Sequence, residues 1–102
     1  MGVNKIVENC ESIYIGSKEI SRYISAGLFG FNKGDKIKLI ARGKNVKRAI
    51  DVLAILIRDY VENPEYTVKV DSEKFEERNI STIEIEISGK KKERINRKEE
   101  DE

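Results

Sequence analysis

The sequence predicts an α/β fold: a two-layer sandwich in the order β-α-β-α-β-β, with a mixed four-stranded sheet and two helices on one face. Three observations predict it. Apolar and polar residues alternate over residues 36–42, 66–70 and 81–88, the period of half-buried strands. Two other stretches, residues 20–31 and 46–60, repeat apolar residues at helical spacing. Strand-helix-strand units in one sheet cross over right-handed, which sets both helices on the same side. At 102 residues the chain holds a single core.

The elements follow in order. Residues 12–15, Ser-Ile-Tyr-Ile, make a short first strand ended by Gly16, and Ser17 is placed to cap a helix. In that helix Ile20, Tyr23, Ile24, Gly27, Leu28 and Phe31 form one buried stripe, which the turn formers Asn32, Lys33, Gly34 and Asp35 stop. The second strand alternates Ile37, Leu39 and Ala41 with Lys36, Lys38 and Arg42. A second helix is expected from Lys44 or Asn45 to Tyr60, with Val46, Ala49, Ile50, Leu53, Ile57 and Tyr60 facing the sheet and Glu62-Asn63-Pro64 ending it. Val52, Ile55 and Leu56 widen its apolar arc beyond what one sheet covers, so these residues, with Tyr60, are expected at an interface with a second subunit. Strands at 66–70 and 81–88 pair as a hairpin whose projecting end spans Asp71 to Ile80. Residues 1–10 are read as an N-terminal extension, residues 11–89 as the domain, and the charged residues 90–102 as a disordered tail.

The formal net charge of +1 conceals a split. Residues 16–48 carry nine bases against Glu19 and Asp35, a balance of +7, whereas residues 49–89 carry ten acids against four bases, a balance of −6. The basic half holds two glycine-marked helix starts. In Arg42-Gly43-Lys44-Asn45-Val46-Lys47-Arg48 a strand ends, a glycine turns the chain and a helix begins among cations, with Lys38 nearby. Unpaired amides and the positive end of the helix dipole suit such a place to an anion; a solvated basic strand end is the plainer alternative. Gly16-Ser17-Lys18, with Arg22 one turn on, repeats the arrangement. Both preceding strands run parallel, so Ser17, Lys18 and Arg22 are expected beside Arg42, Lys44 and Lys47 on one basic surface.

Catalysis has little to work with. The sequence has no histidine and one cysteine, Cys10, and neither glycine segment matches a Walker or dinucleotide fingerprint. The chain is expected not to be an enzyme and to need no cofactor, metal or small-molecule substrate. No apolar run approaches the roughly 18 residues of a membrane span, and no secretory leader is evident, so a cytoplasmic protein is expected.

Four segments together resemble the Alba family of archaeal chromatin and RNA-binding proteins. They are Ile-Tyr-Ile-Gly-Ser-Lys before the first helix, Ile-Lys-Leu-Ile-Ala-Arg-Gly-Lys before the second, Lys-Arg-Ala-Ile-Asp-Val within it, and Ile-Ser-Thr-Ile-Glu-Ile-Glu-Ile in the last strand. The resemblance covers roughly residues 12–88. It implies a fold like the C-terminal domain of translation initiation factor three, a homodimer with a basic groove, and hairpin arms that reach along nucleic acid. Lys18 matches one of the paired lysines of the family's first loop, and Ser17 stands where some members carry an acetylated lysine. Arg42 and Lys44 match basic positions around Gly43, Asn32 falls at the end of the motif's first helix, and Tyr60 matches an aromatic position used between dimers. The hairpin, with Lys74 and Arg78 among Glu73, Glu76 and Glu77, is more acidic than a minor-groove arm should be.

The function expected is therefore sequence-nonspecific binding of DNA and RNA by a chromosome-associated homodimer that coats and compacts nucleic acid. The residues expected to carry it are Ser17, Lys18, Arg22, Lys38, Arg42, Gly43, Lys44, Asn45, Lys47, Lys74 and Arg78, with further assembly of dimers through Tyr60. The alternative is a structural subunit of a ribonuclease P-type particle that prefers structured RNA.

Overall fold

The computed structural model describes residues 10–92. The expected order β-α-β-α-β-β is present: β1 (Cys10–Tyr14), α1 (Ile20–Lys33), β2 (Lys36–Arg42), a 3-10 turn (Gly43–Asn45), α2 (Val46–Ile55), a π-helical turn (Leu56–Tyr60), β3 (Val61–Phe75) and β4 (Arg78–Lys91). The strands lie in the order β1-β2-β4-β3, with β1 parallel to β2 and the other neighbours antiparallel. One face of this mixed sheet carries both helices. Ile13 and Ile15, then Ile37, Leu39 and Ala41, then Ile83, Ile85 and Ile87 point to that face and share one cluster with Tyr23, Ile24, Phe31, Ala49, Val52, Leu53 and Leu56. Ile37, Leu39, Ile85 and Ile87 are wholly buried, each worth roughly 1.5–3 kcal/mol relative to exposure. No helix among the described residues is long and apolar enough to cross a membrane.

The stripe expected on α1 is the one it buries, and a glycine sets how close it lies. A Cβ on Gly30 would stand 2.7 Å from Ile37 Cγ2, so α1 reaches β2 only because that atom is missing. The start of α1 differs from expectation. Glu19, not Ser17, occupies the N-cap position, and no side chain caps the helix.

α2 departs further. Its sheet side is Ala49, Val52, Leu53 and Leu56, while Ile50, expected to face the sheet, is 46% exposed. Val52 and Leu56, expected at a subunit interface, are fully buried in the core of the chain itself and have no surface to offer a partner. An apolar arc over most of a helix leaves its rotation undetermined, and the sheet takes the stripe that lies one position away from the one expected. Ile55 and Tyr60 are partly buried against the same core.

The helix is not ended by Glu62-Asn63-Pro64. It widens into the π turn at Leu56–Tyr60 and passes straight into β3 at Val61. Glu62 to Glu65 is instead a bulge within β3, where the register shifts, Asn63 adopts φ 48° and Pro64 needs no ladder hydrogen bond.

The hairpin is longer and more regular than expected. Pairing continues from Ser72 with Ser81 out to Phe75 with Arg78, so the segment expected as an irregular end is itself a two-stranded ladder closed at Glu76 and Glu77. Four pairs lie beyond the Arg42–Thr82 pair that ends contact with β2, an arm of about 13 Å. At the other end Lys90 and Lys91, expected in the charged tail, pair with Glu62 and Val61. Lys92 of the expected tail donates from its amide to the carbonyl of Tyr60 at 2.8 Å, whereas residues 93–102 of that tail, and nearly all of the expected N-terminal extension, residues 1–9, lie outside the described residues.

Because Leu56 belongs to the core, Leu56→Ala should lower the unfolding free energy by about 2–5 kcal/mol in urea denaturation, equally at low and high protein concentration. A loss that appeared only as the protein was diluted would return Leu56 to a subunit interface.

Candidate functional site

Parallel pairing of β1 and β2 brings the two helix starts together. Cys10 to Tyr14 match Lys36 to Ile40 in register, and the ladder runs one step further through the amide of Ile15, which donates to the carbonyl of Ile40 at 2.8 Å. Both strands therefore release the chain at the same sheet edge. A direct contact ties the two starts together: Arg48, on the first turn of α2, donates from Nη1 to the backbone carbonyl of Lys18 at 3.3 Å. In the sequence Arg48 is one more cation of this segment, and its charge alone does not assign it to the site. It is a bracket between two loops, which the strand order alone foreshadows.

The loop from Gly16 to Lys18 is held from inside. The hydroxyl oxygen of Tyr23 accepts hydrogen bonds from the amides of Gly16 at 2.8 Å and Lys18 at 3.0 Å. Tyr23 thus takes over the backbone-capping role expected of Ser17, from a position read only as part of the buried stripe. A tyrosine has a polar end to its apolar ring, and that end had to find partners at the helix start. On the second loop Gly43 adopts φ 60°, the left-handed conformation that L side chains rarely take, and so permits the strand-to-helix turn.

The exposed cations at this edge are Lys18, Arg22, Lys44 and Lys47, with Arg48 half-buried behind them and Asn45 between the loops. Lys47 also pairs with Asp51 one turn along α2, at 2.9 Å. Lys18, Arg22 and Lys44 take part in no ion pair among the described residues.

Two expected members stand elsewhere. Arg42 follows Ala41, which points to the helices, so its own side chain turns to the helix-free face of the sheet. There its Nη2 meets Glu73 of the hairpin arm at 2.7 Å, in a pair more than half exposed on both sides. Lys38 lies on the same face, about 13 Å further along β2, and its Nζ meets Glu84 at 3.3 Å. The hydrogen bond and charge of Glu84 hold the lysine pKa above its ordinary value, so Lys38 is a cation already matched by an anion and does not join the edge. Lys74 and Arg78 are exposed at the tip of the arm, which leaves the sheet from the same end as the basic edge.

A second surface flanks the site. Tyr66, Val68 and Val70 on β3 stand directly opposite Ile87, Ile85 and Ile83, hence on the helix side of the sheet. The helices do not reach over them. They are 47%, 46% and 69% exposed, and Ile50 on α2 is open too. An apolar strip on the outermost strand is thus left uncovered.

Comparison with known proteins places these features in a family. A family model described as Alba matches residues 11–70. The chain is 35% identical over 85 residues to the DNA/RNA-binding protein Alba of Nitrosopumilus maritimus, covering 76% of this chain and 88% of that one. It is 45% identical over 58 residues to the DNA/RNA-binding protein Alba 2 of Methanopyrus kandleri, covering 56% and 60% respectively. Among solved structures, Alba from Thermoplasma volcanium superposes with a TM-score of 0.58 at 32% identity, over 76% of this chain and 99% of the other. ALBA1 from Trypanosoma brucei gives a TM-score of 0.68 at 13% identity, over 78% and 69%, a likeness of fold alone.

Removing the Tyr23 hydroxyl leaves two backbone amides without their acceptor. Tyr23→Phe should therefore cost about 1–3 kcal/mol of stability and speed hydrogen exchange at Gly16 and Lys18 while amides in β2 stay protected. Unchanged exchange at both positions would show that the ring, and not the hydroxyl, holds the loop.

Proposed function

Since the chain belongs to the Alba family, we propose that it binds DNA and RNA through their phosphate backbones, without reading base sequence, as a homodimer. The observation that carries this reading is the contact of Arg48 with the Lys18 carbonyl, which gathers the cations of both helix starts into one edge. Lys18, Arg22, Lys44 and Lys47 then offer charge to phosphates, and the amides at the start of the second helix add donors. Arg42 joins from the rim of the opposite face once a phosphate displaces Glu73, an exchange that an exposed ion pair resists only weakly. The hairpin arm extends the same edge and brings Lys74 and Arg78 alongside a polyanion. Phosphate contacts carry no base information, which supports low sequence preference.

The homodimer rests on the uncovered strip. Tyr66, Val68 and Val70, with Ile50, offer an apolar surface continuous with the core, and a second copy meeting it about a two-fold axis covers both strips at once. The proposed interface therefore lies on β3 and the outer side of α2, a reading supported by the burial of Val52 and Leu56 in the core of the chain itself. Two basic edges in one dimer give a longer track for a polyanion, which supports coating and compaction of nucleic acid and a place on the chromosome in the cytoplasm. A binding protein and not a catalyst is the role proposed, supported by a histidine-free sequence.

If about six phosphates are neutralised per dimer, log affinity should fall against log salt with a slope near about −5. The double substitution Arg42→Ala and Lys44→Ala should flatten that slope equally on unrelated sequences, as read by fluorescence anisotropy. A wild-type slope near zero would end the phosphate reading. Separately, Val68→Glu places a charge in the uncovered strip and should shift the protein from dimer to monomer in sedimentation analysis. A dimer that persists would move the interface away from β3.

A further inference from the structure

The helix-free face of the sheet holds a feature that phosphate binding does not use. A depression of about 550 Å³ opens there, lined by Tyr14 and Ile40 with Arg42, Asn45, Thr82 and Glu84, and by the charged Lys69, Asp71 and Glu73 on the hairpin side. Its volume falls within the roughly 300–1,000 Å³ of small-molecule sites. Tyr14 is 72% exposed, on a face otherwise made of cross-strand ion pairs and polar side chains. Its neighbour across the ladder is Ile40, so one aromatic and one aliphatic side chain lie together in a polar field.

We propose that this depression takes one unpaired nucleobase from a single-stranded nucleic acid whose phosphates lie on the basic edge, with the base stacked on Tyr14. The inference rests on the nucleic-acid reading above and extends it to the class of strand. Three observations carry it. First, the depression and the edge are continuous, because Asn45 sits in the turn between β2 and α2 and Arg42 closes the rim. A strand held at Lys18 and Lys44 therefore passes within reach of the Tyr14 ring. Second, the rim suits a base edge: the Asn45 amide and the Thr82 hydroxyl both donate and accept, and the Glu84 carboxylate accepts from a ring N–H such as N3–H of uracil or thymine, or from an exocyclic amine. Third, Lys36–Glu86 and Lys38–Glu84 cancel charge across the face and Lys69 and Asp71 bring opposite charges to the lining, so the face attracts a neutral aromatic ring better than a phosphate. Stacking is tolerant of base identity, in keeping with low sequence preference. A duplex has its bases stacked inside and offers none to Tyr14, so this site separates single strands from duplexes where the basic edge does not.

The test compares the full chain and its Tyr14 variants on three probes at one salt concentration: a short oligouridine RNA, a short oligothymidine DNA and a duplex DNA. Tyr14→Ala should weaken one or both single strands about ten-fold and leave duplex affinity unchanged, and Tyr14→Phe should bind like the wild type. In the unmodified protein, the Tyr14 ring protons should move upfield in NMR spectra on adding either single strand but not on adding duplex. Loss on RNA alone would assign the site to RNA, and loss on both strands to any unpaired base. Equal loss on duplex and single strands, or no loss and no ring shift on single strands, would overturn the proposal while duplex binding by the wild type kept the phosphate reading intact. Failure of the wild type to bind any of the three probes would overturn both.

Discussion

Parallel pairing of β1 with β2 is the constraint on which the rest depends. Successive strands that run the same way in one sheet need a crossover between them; β1 runs parallel to β2 and β2 to β3, and each crossover here begins with a helix start at the same edge. The charges then need no further device to meet. Backbone hydrogen bonds lock the register, and Arg48 with Tyr23 fastens the two loops that the strands release. A helix start has spare amide donors wherever it occurs. Only parallel neighbours set two of them side by side.

The electrical split of the chain is resolved by the sheet. The basic strand β2 lies next to the acidic strand β4, and Lys36 and Lys38 find Glu86 and Glu84 across the ladder. Each such pair is exposed enough to add little stability, roughly 0–1 kcal/mol, yet together they cancel charge that would otherwise spread over the helix-free face. Among the cations that no ion pair matches in the described residues, Lys18, Arg22 and Lys44 gather at the edge, while Lys74 and Arg78 stand at the tip of the arm. A net charge near zero is therefore compatible with a strongly basic site, because the cancellation is local and directional.

Much of this was legible in the sequence, for physical reasons that differ by element. The strands at β2 and β4 and the buried stripe of α1 follow from period alone, since each has one apolar face and no competing one. The shared basic edge followed from topology. The rotation of α2 was not legible: with apolar residues at 49, 50, 52, 53, 55, 56 and 57, several stripes score alike, and only the sheet surface beneath decides that Val52 and Leu56 go inside and Ile50 stays out. The length of the hairpin was hidden because a two-stranded arm with both faces in water has no alternation of polarity to betray it. The role of Tyr23 was hidden in its hydroxyl, which a count of apolar positions ignores. The direction of Arg42 could have been found, since it follows Ala41 in an alternating strand and must face away from the helices.

A phosphate-binding edge discriminates poorly among polyanions, because its attraction depends on charge density and fades with salt for every ligand alike. Any preference for one kind of strand has to come from groups that phosphates do not satisfy. Two such surfaces among the described residues flank the edge, and they are not equivalent. The strip on β3 is aliphatic apart from Tyr66, lies on the helix side and runs into the core, which suits the same strip on a second copy. The depression at Tyr14 is small, rimmed by hydrogen-bonding groups and joined to the edge through Arg42 and Asn45, which suits a flat ring with polar margins. In the proposed reading the sheet thus separates assembly from selection by placing them on its opposite faces, with the basic edge between them serving both.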